Sequence, residues 1–380
     1  MSEGAGIDRW LIVGSRRWAR IVAAEVCAAA APDSSIQLHG SRTDPGLAAW
    51  WNDSPHKQRI EIVEQPVPCG GSTTGVALIV NSAHQHRSAV ERALDAGYHV
   101  VCEKPLTFSR DDTLQLLARA DARGLRLFGT NTYLFADYLR VFRREWLAGR
   151  ALSELELTWA DARAEVRHGQ AKSYDSGVPV IFDVLPHVAG IVLATHGRLT
   201  FDRASIDVAR GGAAVVARYA GGDLTLRVSL ARNAARRVRL LRFSGPGGQV
   251  ALDFAAEPGV ASVDREPGVC VDAAWHPGRR PIAQMLRSVE AYFERGVADE
   301  RLGPDPALLA HDLIDAVADG YVRQQLDLLD GRDAAGEEDH AYAAKEADAI
   351  RLRAWAQLPA ASPLRRLVQP ELSQSGRGLP

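Results

Sequence analysis

Lysine is scarce in this 380-residue chain: of its 45 lysine and arginine residues only four are lysine, namely Lys57, Lys104, Lys172 and Lys345. Arginine stays charged, whereas lysine can be tuned to give up its proton, so the place of each lysine is informative. Cysteine is also sparse. Cys27, Cys69, Cys102 and Cys270 lie far apart with no C-x-x-C and no adjoining histidine pair, which excludes a disulfide framework and a structural zinc site and indicates reduced thiols. No charge of one sign dominates: 45 basic against 47 acidic residues leave a net charge of −2, too little for recruitment to nucleic acid or an anionic membrane. Long hydrophobic runs are missing too. No stretch approaches the roughly 18 uninterrupted apolar residues of a membrane span, and Met1–Asp8 shows no basic segment leading into an apolar one, so a cytoplasmic location is expected. No repeat of fixed period is visible.

What is present is the material of a globular protein, 46% hydrophobic and 24% charged, long enough for two domains of roughly 100–200 residues each. Residues 10–14, Trp-Leu-Ile-Val-Gly, read as a strand buried on both faces, followed by a helix over about 16–30 and a second strand at 36–39. Residues 76–80 and 98–102 are further buried strands with helical spacing between them over 86–96. Ser109 is placed to cap a helix reaching about 122, and 125–128 is the next strand. Such alternation predicts a doubly wound parallel sheet over residues 1–132. After a helix at about 135–148 the pattern changes. Period-2 alternation at Leu155, Leu157 and Trp159, and again over 224–230, 238–243 and 250–254, predicts an α+β domain over 133–330 with a large open, mostly antiparallel sheet. Its free face suits dimerisation into a homodimer or higher homo-oligomer. Helices at about 281–295 and 305–328 are expected to close that domain. Residues 331–380 read as an extension, with a helix over 340–357 and a disordered end from 370.

Three segments carry chemistry. Gly14-Ser15-Arg16-Arg17-Trp18-Ala19 follows the first strand and compares with the dinucleotide fingerprint G-x-G-x-x-G/A, with Arg16 in place of the middle glycine. A helix N-terminus there offers free N–H groups to an anion, although an ordinary βα turn reads the same way. The second strand ends in His39-Gly40-Ser41-Arg42 rather than in an acidic residue. A hydroxyl and a guanidinium suit a 2′-phosphate and favour NADP(H) over NAD(H), with a solvated loop as the plainer alternative. Cys102-Glu103-Lys104-Pro105-Leu106 follows another strand, so Lys104 is presented at a carboxyl edge, where such sheets bind ligands. A cis bond is allowed at Pro105, and Glu103 can tether the lysine or the chain around it. His84 and His86 have no third metal ligand nearby and are expected to line the nicotinamide side. Asn131-Thr132-Tyr133 also follows a strand, making Tyr133 a candidate proton donor.

The turn Asn81-Ser82-Ala83-His84-Gln85-His86, the helix ending in Ala96-Gly97-Tyr98, and Glu103-Lys104-Pro105 together resemble the Gfo/Idh/MocA oxidoreductases over about residues 8–330. The resemblance implies a Rossmann domain followed by an α/β domain with an open sheet that often pairs face to face. It also implies hydride transfer between a nicotinamide and a sugar or cyclitol carbon. It further implies an Asp and a His four residues apart at the start of a helix in the second domain, and Asp183-Val184-Leu185-Pro186-His187 matches. Residues i and i+4 share a helix face, and two ionisable groups inside the apolar stretch Val178–Leu193 are costly unless they pair or line a cavity. An imidazole, with its ordinary pKa near about 6.5, suits exchange of a substrate hydroxyl proton by His187, with Asp183 orienting hydroxyls. Pro186 is expected to keep the motif within the first helical turn. The catalytic set is thus Lys104, Asp183, His187 and Tyr133. The cofactor set is Gly14, Ser15, Arg16, Arg17, Trp18, Ser41, Arg42, Asn81, Ser82, His84, His86, Glu103, Lys104, Pro105 and Asn131. A loop over about 161–178 with Arg163, Arg167, His168, Lys172 and Tyr174 offers groups for an anionic substrate such as a sugar nucleotide. Arg16 and Asn131-Thr132-Tyr133 are also similar to thiazolinyl imine reductases, which raises a C=N substrate as a second reading.

Overall fold

Buried apolar runs lie at the centre of the first of two compact units in the computed structural model, which describes residues 6–41, 43–129, 131–167, 170–171, 174–264, 266–332, 336–354, 358 and 362–368. Arg42, His168, Lys172 and the 370–380 tail lie outside the described residues. The first unit comprises the chain up to Asp137 together with His276–Leu308. Its strands are β1 (Arg9–Val13), β2 (Ser35–His39), β3 (Ile60–Val63), β4 (Gly75–Ile79), β5 (His99–Cys102) and β6 (Leu127–Gly129). They form one parallel sheet in the order β3-β2-β1-β4-β5-β6, the Rossmann order, with the direction of winding reversing between β1 and β4. Helices α1 (Arg17–Ala29), α2 (Pro45–Asp53), α3 (His86–Asp95) and α4 (Arg110–Asp121) connect the strands. Every residue of β4 is buried, which is why its sequence is a continuous apolar run without alternation. Ser109 caps α4 as expected, its hydroxyl accepting from the Asp112 amide at 3.1 Å.

The helix Pro281–Arg295, expected in the second domain, belongs to the first unit. It buries Ile282, Met285, Leu286 and Val289 and packs on α1 and on the 3-10 turn Thr132–Phe135. Each such side chain contributes about 1.5–3 kcal/mol when buried, so the apolar stripe decides where the helix seats.

The second unit comprises Tyr138–Trp275 and Leu309 onward. The expected helix at 135–148 is a short α5 (Asp137–Phe142) continued by a π-helical turn, Arg143–Leu147. There follow β7 (Glu154–Ala162), the two-residue strands β8 (Val166–Arg167) and β9 (Gln170–Ala171), and α6 (Val180–Thr195). Next come β10 (Arg203–Ala209), β11 (Ala214–Ala220), β12 (Thr225–Ala234), β13 (Val238–Gly245), β14 (Gly248–Asp253), β15 (Val260–Val263) and β16 (Val269–Cys270). An eight-stranded sheet runs β10-β11-β12-β7-β13-β14-β15-β16, antiparallel except where β12 pairs parallel with β7. Leu155, Leu157, Leu226, Val228, Leu230, Leu241 and Phe243 form its buried face, on which α6 packs. The other face is polar, with Glu156 bridging Arg227 at 3.3 Å and Arg242 at 3.1 Å. Helix α7 is the segment Pro281–Arg295 described above; α8 (Asp305–Leu329) and α9 (Glu337–Ala349) follow it, and α9 is an ordered part of the second unit. Among the described residues no helix is long and apolar enough to cross a membrane.

Candidate active site

In the first unit the candidate residues collect at the carboxyl ends of the parallel strands, where an open α/β sheet offers its crevice. Gly14 follows β1 with φ +147, and a Cβ on it would lie 3.0 Å from the Val80 carbonyl oxygen and 3.1 Å from the Asn81 nitrogen. Only glycine fits this turn. Arg16 is the N-terminal flanking residue of α1 with extended backbone and no side-chain cap, and the first turn carries no acidic residue. The α1 N–H groups therefore remain available to an anion. Arg16 has an extended backbone that any residue adopts.

Past the end of β2, Ser41 donates to Glu64 Oε1 at 2.8 Å. The Nε2 of His39 lies 3.1 Å from the Glu64 carbonyl oxygen. The Ser15 hydroxyl faces Asp44 at 3.5 Å, and Arg20 Nε donates to the Ser15 carbonyl at 3.1 Å. Beyond β5, Trp18 donates its indole N–H to Glu103 Oε1 at 2.9 Å, and Glu103 Oε2 accepts from the Lys104 amide at 3.1 Å. Trp18 thus ties the start of α1 to the turn that presents Lys104. Burial raises the pKa of Glu103, with Lys104 and Trp18 pulling the other way. The Lys104–Pro105 bond is cis. Burial, with the Glu103 charge beside it, also raises the Cys102 thiol well above its ordinary value, which disfavours the thiolate. Asn131 is 2% exposed and precedes the 3-10 turn that carries Tyr133 just past β6.

His86 differs from expectation. Its ring is 1% exposed, with Nδ1 2.7 Å from the Pro105 carbonyl oxygen and Nε2 3.2 Å from that of Asn81. It braces the Lys104 turn against the end of β4 instead of lining the nicotinamide side. The helical phase held the clue, since His86 precedes buried Ala89 and Val90 by three and four residues. Burial, reinforced by the charges of Lys104 and His84, lowers its pKa to about 4 against the two carbonyl contacts. Between pH ~6.5 and ~4 the unfolded chain binds a proton that the native ring refuses, so stability is lost as pH falls through this window, by on the order of 3 kcal/mol. His86→Gln is expected to flatten that slope in urea-unfolding free energies measured at pH 7 and 4.5.

In the second unit, thirteen of the sixteen residues of α6 are buried, the others being Asp183, His187 and Leu193. Asp183 and His187 lie one turn apart on one face, as their spacing requires. Asp183 is no N-cap, since Pro179 holds that position. Pro186 lies inside the helix rather than in its first turn, because burial of so apolar a segment outweighs the roughly 3 kcal/mol that an interior proline costs. Asp183 Oδ2 accepts from Arg232 Nη2 at 2.9 Å, and the Arg232 guanidinium lies 4.6 Å from the centre of the Tyr174 ring. The His187 ring stacks with Trp159, centroids 4.9 Å apart and planes 14° from parallel. Trp159 carries the Arg239 guanidinium 3.5 Å from its centroid, and Arg239 is ion-paired to Asp161. Arg163 is exposed. A cavity of about 430 Å³ lined by Arg140, Arg143, Arg144, Arg150 and His196 reaches Thr195, the last residue of α6. Asp183 is roughly 18 Å away along the helix, so the cavity is not part of this site.

Arg232, Arg239 and Trp159 were not singled out from the sequence. A signal existed: Arg232 continues the buried phase of Leu226, Val228 and Leu230, and Arg239 shares the phase of Leu241 and Phe243. An arginine in the inward phase of a strand announces a buried ion pair.

Residues 70–130 match the GFO_IDH_MocA family model, described as an oxidoreductase family with NAD-binding Rossmann fold. The fold is shared with UDP-N-acetylglucosamine 3-dehydrogenase from Acidithiobacillus ferrooxidans, with TM-score 0.61 and 17% identity over 81% of this chain and 97% of that one. A 3-ketoreductase from Actinomadura kijaniata, solved with NADP and TDP-benzene, gives TM-score 0.62 and 18% identity over 81% and 96%. A biliverdin reductase from a Synechocystis species, in complex with biliverdin and NADP+, gives TM-score 0.61 and 16% identity over 81% and 97%. Residues 70–130 thus resemble the NAD-binding Rossmann part of this oxidoreductase family, and the chain as a whole shares the fold of these three solved proteins.

Proposed function

We propose that the protein is an NADP(H)-dependent oxidoreductase that transfers hydride between the nicotinamide and a carbonyl or alcohol carbon of a nucleotide-sugar-like, sugar or cyclitol substrate. One observation carries this reading: the Gly14 turn, the uncapped N-terminus of α1 and Lys104 share the carboxyl edge of one parallel sheet. The turn and helix end fit a dinucleotide, since a side chain at Gly14 would meet backbone and nothing acidic opposes a pyrophosphate in the first turn of α1. When bound, the nicotinamide supplies or takes up the hydride. The backbone from Gly14 to Trp18 would hold the pyrophosphate. Lys104 exchanges a proton with the substrate oxygen, Asp183 orients substrate hydroxyls, and His187 serves as a second proton carrier, its ring fixed by the stack on Trp159. Tyr133 is the alternative acid for a C=N substrate. The dehydrogenase and ketoreductase of similar fold, whose names speak of nucleotide-sugar or 3-keto chemistry, support the substrate class. We further propose a cytoplasmic homodimer paired through the open face of the large sheet.

The preference for NADP(H) rests on Ser41 and Arg42, and Glu64 opposes it, because a carboxylate on the Ser41 hydroxyl suits a ribose hydroxyl better than a phosphate. The test titrates NADPH and NADH against the purified protein and follows turnover on a panel of UDP-sugars, inositols and a thiazoline-type imine. Tighter binding of NADPH and activity on a UDP-sugar are expected, and Glu64→Gln should widen the NADPH preference several-fold. Preference for NADH would refute the phosphate assignment, and activity confined to the imine would refute the substrate class.

A further inference from the structure

The cavity at the far end of α6 belongs wholly to the second unit, and its volume of about 430 Å³ falls within the roughly 300–1,000 Å³ of small-molecule sites. Separate pieces of chain converge on it. Arg140 comes from α5, Arg143 and Arg144 from the π-helical turn, Arg150 from the link to β7, and His196 from just past α6. All four arginines are exposed. The buried part of the lining is Thr195, Leu224 and Phe243. Phe142 packs on Phe243, ring centroids 6.3 Å apart, and the Thr195 hydroxyl donates to the Ile191 carbonyl at 2.7 Å. An apolar floor thus lies beneath a cationic rim.

The rim holds more positive charge than its neighbours cancel. Arg140, Arg143 and Arg144 stand at i, i+3 and i+4, a spacing that puts like charges side by side. Arg144 pairs with Glu145 at 2.6 Å, and His196 lies 3.5 Å from Asp223. Arg150 donates instead to the Trp146 carbonyl at 3.0 Å and the Gly247 carbonyl at 3.2 Å, neutral acceptors that fix the guanidinium and leave its charge intact. Among the described residues no carboxylate pairs with Arg143 or Arg150. Arginines near the end of a helix often serve its last carbonyls, but here Ile191 is served by Thr195, and Val192 by the amides of His196 and Gly197. The π-helical turn is itself a rare form, frequent at functional sites.

We propose that this cavity binds a small organic phosphate, with the phosphate group taken by Arg143 and Arg150 and the apolar body laid against Phe243 and Leu224. A phosphate monoester carries about −1.5 to −2 charges at pH 7, which matches two uncancelled guanidinium groups, and its oxygens suit their forked donors. A carboxylate would bring only one charge. The site is distinct from the Asp183–His187 pair, since Asp183 lies roughly 18 Å back along α6.

The experiment titrates phenyl phosphate into the full chain by calorimetry, beside inorganic phosphate and phenol, for the wild type, the Arg143→Ala/Arg150→Ala double variant and Lys104→Ala. Phenyl phosphate should bind the wild type with Kd on the order of 1 mM or below, and inorganic phosphate and phenol each at least about ten-fold more weakly, since each offers half of the ligand. The double variant should weaken phenyl phosphate by about ten-fold or more, and Lys104→Ala should bind it as the wild type does. Wild-type affinity in the double variant overturns the proposal, as does loss of binding in Lys104→Ala, which would put the probe at the sheet edge of the first unit. Inorganic phosphate or phenol binding as tightly as phenyl phosphate overturns the ligand class. Both arginines are exposed, so the double variant is expected to keep the wild-type Tm; if it does not fold, Arg143→Ala alone decides, with about three-fold weakening expected and unchanged affinity overturning the proposal. Turnover plays no part in these readings, so they hold whichever substrate the protein reduces or oxidises.

Discussion

Lys104→Ala is expected to lower kcat by about 10²–10⁴-fold, the usual worth of a positioned general acid or base, while the dissociation constant for the nicotinamide nucleotide changes only a few-fold. The separation follows from geometry. Binding rests on the Gly14 turn and the uncapped end of α1, whereas Lys104 stands past β5 in a turn braced by Glu103 and His86. Lys104→Arg should fail to restore turnover, because a permanently charged guanidinium does not give up a proton under these conditions. Steady-state rates with a UDP-sugar, paired with nucleotide titration by fluorescence, check both statements. Turnover at the wild-type rate in Lys104→Ala would pass the proton role to His187 or Tyr133.

Arg232→Met is expected to destabilise the protein by about 3–5 kcal/mol, the cost of breaking a buried ion pair by removing one partner. The substitution keeps the volume roughly constant, so loss of packing is not the main effect. It strands Asp183, which retains partial access to solvent. Adding Asp183→Leu should recover part of the loss, since replacing both sides of a buried pair by apolar groups is often near neutral. Urea-unfolding free energies of the single and double variants measure this, and equal losses in the two would mean that the two side chains do not interact.

Much of the fold could be read from residue order. The apolar runs of β1, β4 and β5 are legible because strands buried on both faces have no polar phase, and β7, β12, β13 and β14 are legible because one covered face imposes alternation. The Lys104 turn and the Asp183–His187 pair stand out as polar groups at strand ends or within apolar sequence. Other features depend on tertiary partners. Nothing local tells α7 that its stripe fits α1 better than the second unit. Pro186 reads as a boundary until the burial of α6 is known. His86 looks available until its two carbonyl partners are in place, and the acidic stretch leading into α9 conceals Glu346, whose partner Tyr321 lies on another helix.

The seat of α7 also bears on synthesis. The Rossmann sheet is complete in sequence by Gly129, yet the helix that covers part of it is made some 150 residues later, after every described strand of the other unit. During translation the nascent first unit must hold an uncovered apolar flank while the second sheet assembles. A gene fragment cut after the last Rossmann strand should therefore yield a sticky, incompletely covered product, and the smallest autonomous piece of this protein extends at least through Leu308.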